Sequence, residues 1–299
     1  MDIRPTILSL FTGYGGLELG LARALGGART VCMVEREAFA AANLVAQMQA
    51  GAVAPAPIWT DVSTFDGKPW RGRVDILTGG PPCQPFSTAG KRRHTDDERW
   101  IWADVARIIG EVRPGVVFLE NVPGLRKRGL GVMLRDLAAL GFDGAEWGCF
   151  RASDAGAPHR RTRLFLLAYA DREQLRQLCR GRGGQGGASA AKPSVAGAAL
   201  ANASGLGQPE QRTAHDEHRG DASGHQPDGR HAFPPGPDDA EGWRRWLGAG
   251  GPQPGVRGGA HAGGCKNRVD RIRLLGNGVV PAQAELAFRE LSARALSPV

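Results

Sequence analysis

Short apolar runs that each break off into a glycine or an acid, with helix-length stretches between them, constrain this chain more than any other feature. Thr6–Phe11 is followed at once by Thr12-Gly13-Tyr14-Gly15-Gly16 and then by the helical pattern Leu17–Leu25. Thr30–Val34 ends at Glu35 and leads into a helix over Ala38–Gln49. A third run, Pro57–Val62, carries Asp61; Val74–Leu77 opens into Thr78-Gly79-Gly80-Pro81-Pro82-Cys83; and Val116–Leu119 ends in Glu120-Asn121. Strands alternating with helices predict an α/β fold with a doubly wound, mostly parallel sheet. The carboxyl ends of the strands in such a sheet line one crevice, so these polar tips are expected to converge.

Each tip has a chemical reading and a plainer one. Glycines after the first strand let the backbone approach a ligand, and the helix beyond them offers unpaired N–H groups; the same glycines would also serve turn geometry alone. Glu35, about twenty residues past the glycines, stands where nucleotide-binding α/β folds hydrogen-bond a ribose, or is an ordinary strand-terminal acid. Cys83 lies among prolines that fix φ and favour extended neighbours, so it is expected on a stiff turn, as suits a nucleophile. A buried, inert thiol is the alternative.

The rest of the chain sets bounds. Helices are expected over Trp100–Val112 and Leu130–Leu140, and strands over Glu146–Arg151 and Arg163–Tyr169. Between them, Phe86–Arg99 is charged and poor in apolar residues, a long loop hanging from the cysteine. A chain of 299 residues can hold two lobes, and its net charge of +8 favours polyanionic partners. The five cysteines are odd in number and contain no Cys-x-x-Cys pair, so neither a disulfide framework nor a zinc ribbon follows. With no leader pattern and no apolar run of membrane-span length, a soluble, cytoplasmic protein is expected. Residues 171–267 are rich in Gly, Pro, Arg, His and Ser and cannot build a large core; they are expected to be partly disordered or a loop-built surface anchored by Phe233, Trp243 and Trp246. His215, His218, His225 and His231 lack partners at metal-ligand spacing, so no metal site is expected. Order returns with Val269–Leu275, a turn at Gly276-Asn277-Gly278, and a helix over Pro281–Leu296.

Taken together, the motifs resemble those of the DNA (cytosine-5) methyltransferases that use S-adenosylmethionine. Phe11-Thr12-Gly13-Tyr14-Gly15-Gly16 is similar to the family's first motif, Gly80-Pro81-Pro82-Cys83-Gln84-Pro85-Phe86-Ser87 to its nucleophile motif and Glu120-Asn121-Val122 to its acid motif. Arg161-Thr162-Arg163 resembles its paired arginines, and Gly276-Asn277-Gly278-Val279-Val280-Pro281 its C-terminal motif, all in the family's order. The resemblance covers roughly residues 6–170 and 268–296.

It implies a Rossmann-like catalytic domain over 1–170 and 268–299, binding S-adenosylmethionine, with a small target-recognition region over 171–267. Catalysis would fall to Cys83, Glu120, Arg161 and Arg163. Cofactor contacts would come from Phe11, Gly13, Tyr14, Gly15, Gly16, Glu35, Asp61, Pro82, Ile101 and Asn277, with solvated structural acids as the alternative for Glu35 and Asp61. The loop carrying Gln84, Ser87, Lys91, Arg92 and Arg93 would contact DNA as a base is flipped out. The implied partners are duplex DNA and, functionally, a cognate restriction endonuclease, for a monomer belonging to a restriction-modification system, a phage or an orphan modification enzyme. The middle region is short for the family, and the arginine-rich motif before the last one is reduced to Asn267–Arg273. RNA methylation and silent DNA binding are the competing readings; the Cys-Phe-Thr motif of the tRNA-modifying branch is absent.

Overall fold

The computed structural model describes residues 4–82, 101–180 and 268–298. The chain runs β1 (Thr6–Leu10), α1 (Gly16–Ala24), β2 (Arg29–Val34), α2 (Ala38–Gln49), β3 (Ile58–Trp59), β4 (Ile76–Gly79), α3 (Trp102–Val112), β5 (Val116–Asn121), the short α4 (Leu125–Arg128), α5 (Leu130–Ala139), β6 (Gly144–Arg151), β7 (Thr162–Tyr169), α6 (Arg172–Arg180), α7 (Arg268–Asn277) and α8 (Pro281–Leu296). Seven strands form one sheet in the order β3-β2-β1-β4-β5-β7-β6. The first five are mutually parallel, and β7 runs antiparallel between β5 and β6. This is the mixed, doubly wound α/β fold expected.

Alternation along the strands sorts the core into two layers. Leu8, Leu10, Leu77, Val117, Leu119, Leu164 and Leu166 face α3 and α5, through Val105, Ile108, Met133 and Leu137. Ile7, Ile76, Val116, Phe118, Phe165 and Leu167 face α1, α6 and α8, through Leu17, Leu21, Leu175, Phe288 and Leu291. Phe118 stacks on Phe165 and meets Phe288 edge-on, with centroids 5.7 and 5.3 Å apart.

Two features of the topology position the site. The chain order reverses between β1 and β4, which opens a crevice at their carboxyl ends. Because β7 is antiparallel, its first residues lie beside the last residues of β5, with Asn121 opposite Leu164 and Glu120 opposite Phe165. The arginines that precede the apolar run of β7 are thereby delivered to the same edge as the acid.

Several elements depart from expectation. Strand β5 runs through Glu120 and Asn121 rather than stopping before them, because its antiparallel pairing with β7 extends that far. The third strand shrinks to Ile58–Trp59; Asp61 instead caps a 3-10 turn, accepting hydrogen bonds from the Ser63 N–H and hydroxyl at 2.9 and 2.8 Å. Gly276 and Asn277 belong to helix α7 and not to a turn. Arg172–Arg180, which composition grouped with the middle region, forms a helix that buries Leu175 against the body. The expectations for 181–267, including its histidines and aromatic anchors, lie outside the described residues. Among the described residues no helix is long and apolar enough to cross a membrane, and no cluster of metal-ligating side chains occurs.

Candidate active site

The turn after β1 is conformationally demanding. Phe11, Gly13 and Gly15 all adopt left-handed φ, at 55°, 60° and 85°. Glycine does this freely, but Phe11 carries backbone strain of about 1 kcal/mol or more that its surroundings must hold. Helix α1 then begins with no side-chain cap, leaving first-turn N–H groups facing the crevice end of the sheet. Glu35 braces the turn from β2. Its buried carboxylate accepts from the Gly13 N–H at 2.7 Å and from the Glu37 N–H at 2.8 Å, one bond to each oxygen. Each oxygen keeps a lone pair for a further donor.

The C-terminal segment closes over this turn at near-contact distance. A Cβ on Gly16 would stand 2.1 Å from the Val279 carbonyl oxygen, and one on Gly278 would stand 2.0 Å from the Tyr14 ring. Tyr14 donates its hydroxyl hydrogen bond to the Val279 carbonyl, and burial pushes the phenol up to about 12. Arg161 grips the same segment, donating from Nη1 to the Gly276 carbonyl at 2.6 Å and from Nη2 to the Gly278 carbonyl at 2.5 Å. Gln283, fully buried at the start of α8, donates to the carbonyls of Phe150 and Arg161, each at 2.8 Å.

At the end of β5, Glu120 lies diagonally across from Arg163 on one face of the sheet. Arg163 Nε stands 2.9 Å from Glu120 Oε1. That charged contact is the close partner of Oε1 among the described residues. Burial raises the Glu120 carboxyl to about 7, against the opposing pull of the Arg163 and Arg161 charges. A carboxyl in that range exchanges its proton near neutral pH. A Cβ on Gly80 would stand 3.4 Å from Glu120 Oε2, and Asn121 Nδ2 donates to the Pro81 carbonyl at 3.2 Å. The acid is thus tied to the segment from which Cys83 follows.

The structure therefore gathers Glu120, Arg163, Arg161, Tyr14 and the C-terminal segment, with Glu35 and the glycine turn alongside. Asp61 remains exposed, held below the usual carboxylate range by the two Ser63 hydrogen bonds. Ile101 is half-buried at the start of α3, Pro82 is exposed, and Asn277 is exposed at the end of α7. Cys83, Gln84, Ser87, Lys91, Arg92 and Arg93 lie outside the described residues. Sequence reasoning missed the hydrogen bonds by which Asn121 and Gln283 hold their neighbours; Asn121 lies inside the acid motif, whereas a buried Gln on a helix leaves no sequence signal.

The profile of the C-5 cytosine-specific DNA methylase family matches residues 5–204. This chain belongs to that family. The Type II methyltransferase M.PspPI of Psychrobacter sp. (strain TA137) is 36% identical over 180 residues, which takes in 56% of this chain and 41% of that protein. The Type II methyltransferase M.Eco47II of Escherichia coli is 35% identical over 172 residues, 54% of this chain and 39% of that protein. This methylase-family chain thus spans about two fifths of the length of these two relatives. Among solved structures, the S. pombe Dnmt2 methyltransferase superposes with a TM-score of 0.46 at 22% identity, covering 61% of this chain and 57% of that chain.

Proposed function

We propose that this chain transfers a methyl group from S-adenosylmethionine to C5 of a cytosine flipped out of duplex DNA, as a modification enzyme of the Type II kind that its relatives' names describe. The observation that carries the reading is the Glu120 carboxyl: buried, raised to about 7, beside Arg163 and tied to the Gly80-Pro81 segment.

The residues fit the cofactor. The uncapped N-terminus of α1 suits its carboxylate, the left-handed turn lets the backbone approach it, and the spare lone pairs of Glu35 suit ribose hydroxyls. When bound, it supplies a methyl group on a sulfonium centre.

The chain's own groups account for the rest. Cytosine C5 is a poor nucleophile until a thiolate adds at C6. In the proposal, the Cys83 sulfur forms a bond to C6, and the electron pair displaced from the C5–C6 double bond leaves C5 electron-rich. Protonated Glu120 donates its proton to N3, which keeps the ring from accumulating negative charge. Arg163 holds Glu120 through Nε and donates from Nη1 to the Thr162 carbonyl, which leaves Nη2 for the base oxygen. After C5 has gained its methyl, the C5 proton passes to solvent water, its electron pair restores the C5–C6 double bond, the C6–S bond breaks with its pair on sulfur to release the Cys83 thiolate, and N3 returns its proton to Glu120. Arg161, with both terminal nitrogens on backbone carbonyls, acts by holding the C-terminal segment.

The test is incubation with methyl-labelled S-adenosylmethionine and duplex DNA, followed by mapping of 5-methylcytosine. Label on cytosine C5 at a recurring sequence, lost in Cys83→Ala, is the expected result. Label on tRNA and not on DNA, or unchanged turnover in Cys83→Ala, overturns it.

A further inference from the structure

Beneath the glycine turn lies a carboxyl group that the reaction above does not use. Glu18, in the first turn of α1, is 7% exposed as a residue. Its Oε1 accepts from the Ser9 hydroxyl on β1 at 2.7 Å and from the Thr78 hydroxyl on β4 at 2.7 Å. The Ser9 hydroxyl is in turn 2.8 Å from the Thr12 hydroxyl, the residue between strained Phe11 and left-handed Gly13. A hydroxyl has one proton. With that of Ser9 committed to Glu18, the Thr12 proton has two acceptors, the Ser9 hydroxyl at 2.8 Å and the Ser9 carbonyl at 3.3 Å; on the shorter of them the chain runs Thr12 to Ser9 to Glu18 Oε1, where Thr78 joins it.

We propose that Glu18 is a positioning residue for the cofactor turn: through Oε1 it collects the hydroxyls of β1 and β4, locking the left-handed Phe11–Gly15 segment to the strand that leads to Gly80, Pro81 and Cys83. The topology gives this lock its purpose. Strands β1 and β4 are neighbours at the point where the sheet reverses direction, and their carboxyl ends are the two lips of the crevice. One lip carries the turn against which the methyl donor would lie, and the other carries the segment from which the thiol follows. Glu18 is the side chain that bonds to both. A turn with a non-glycine residue in the left-handed region persists only where its surroundings over-determine it, and the hydroxyl chain ends on that turn.

Burial and hydrogen bonding pull the Glu18 carboxyl in opposite directions, and burial is the larger of the two. Burial raises the Glu18 carboxyl, and Oε2 has no hydrogen-bond partner among the described residues. Glutamine has the same shape as the protonated acid, with a carbonyl oxygen for the two hydroxyls and a donor in the place of Oε2. It should therefore substitute, whereas leucine of similar size should not.

This inference rests on the proposed cofactor, so the experiment starts with wild type. Binding of S-adenosylhomocysteine is measured by titration calorimetry, and duplex DNA binding without cofactor by fluorescence anisotropy, each well below the variant's thermal midpoint. Failure of wild type to bind the cofactor product defeats the functional reading itself. Given wild-type binding, Glu18→Leu is expected to weaken it by about tenfold or more, Thr78→Val by about two- to tenfold, and Glu18→Gln to restore it to within about twofold. DNA affinity is expected to stay unchanged in all three. If Glu18→Leu does not fold, Thr78→Val and Ser9→Ala carry the test, since each removes one hydroxyl from the chain. Wild-type affinity in the folded variants overturns the proposal, as does a Glu18→Gln variant as weak as Glu18→Leu, or an equal loss of DNA affinity.

Discussion

The Glu120 carboxyl is pulled in two directions, by burial that favours its neutral form and by two arginines that favour its charged one, and burial wins by enough to place it near 7. The consequence for stability has a definite sign. The folded chain holds this proton more tightly than the unfolded chain, whose carboxyl titrates near the ordinary 4.5. The contribution to stability is thus fully present below about 4.5, declines as pH rises towards 7, and levels off above it. For catalysis the protonated form is the donor to N3, so single-turnover methylation is expected to fall as pH climbs through about 7. Glu120→Gln should lower the rate by about 10²- to 10⁴-fold, abolish that limb, and flatten the decline in stability between pH 4.5 and 7 in urea titrations. A variant with the wild-type pH profile would remove Glu120 from the proton step. Glu120 and Arg163 were both legible in the sequence, because a strand-terminal acid and an arginine pair before an apolar run are visible without coordinates. Their coupling was not, since it depends on the antiparallel entry of β7 beside β5. Arg161 was legible as a charged residue, but its engagement by two backbone carbonyls follows from a segment more than a hundred residues away.

At the scale of elements, helix α1 and helix α8 approach so closely that glycine is obligatory between them. A Cβ on Gly20 would stand 2.3 Å from the Pro281 carbonyl oxygen and 2.7 Å from the Ala284 Cβ. Gly20→Ala is expected to push the helices apart and to cost about 1–3 kcal/mol, read as a lowered denaturant midpoint. Gly16→Ala meets backbone at the Val279 carbonyl and should also weaken S-adenosylhomocysteine binding, because the displaced residues border the turn. Tyr14→Phe tests the same junction more gently. It removes only the hydroxyl bond to the Val279 carbonyl, with an expected loss of about 1 kcal/mol in stability. Undiminished midpoints in the two alanine variants would show that the junction yields. The helices themselves were readable where punctuation is strong: α2 and α8 begin and end where their sequence patterns do, with Pro281 in the first turn of α8. β3 was overestimated because only two of its residues pair, and α7 was hidden because its Gly276-Asn277 end looks like a turn.

The described body is closed by parts of the chain that lie far apart, since Tyr14 of the first turn bonds to Val279. Helix α8 buries Ala284, Ala287, Phe288, Leu291 and Ala295 against the layer that includes Leu17, Leu21, Phe118 and Phe165. A chain ending at residue 267 would expose that face and is expected to lose cooperative unfolding and cofactor-product binding together, whereas a sharp calorimetric transition would show that the sheet stands without α8. The middle of the chain invites the opposite experiment. The described residues that brace the turn, the acid and the C-terminal segment lie within 4–180 and 268–298, and in our reading the region between these two stretches selects the DNA sequence. Replacing 183–229 with a short Gly-Ser linker is therefore expected to leave S-adenosylhomocysteine affinity within about twofold of wild type, because every bond identified around the turn remains. Methylation of duplex DNA should then lose its preference for one sequence, measured by mapping 5-methylcytosine across a long substrate. Retained site preference would place recognition elsewhere in the chain. Loss of cofactor-product binding would show instead that this segment supports the body, and would refute the division of labour between the two.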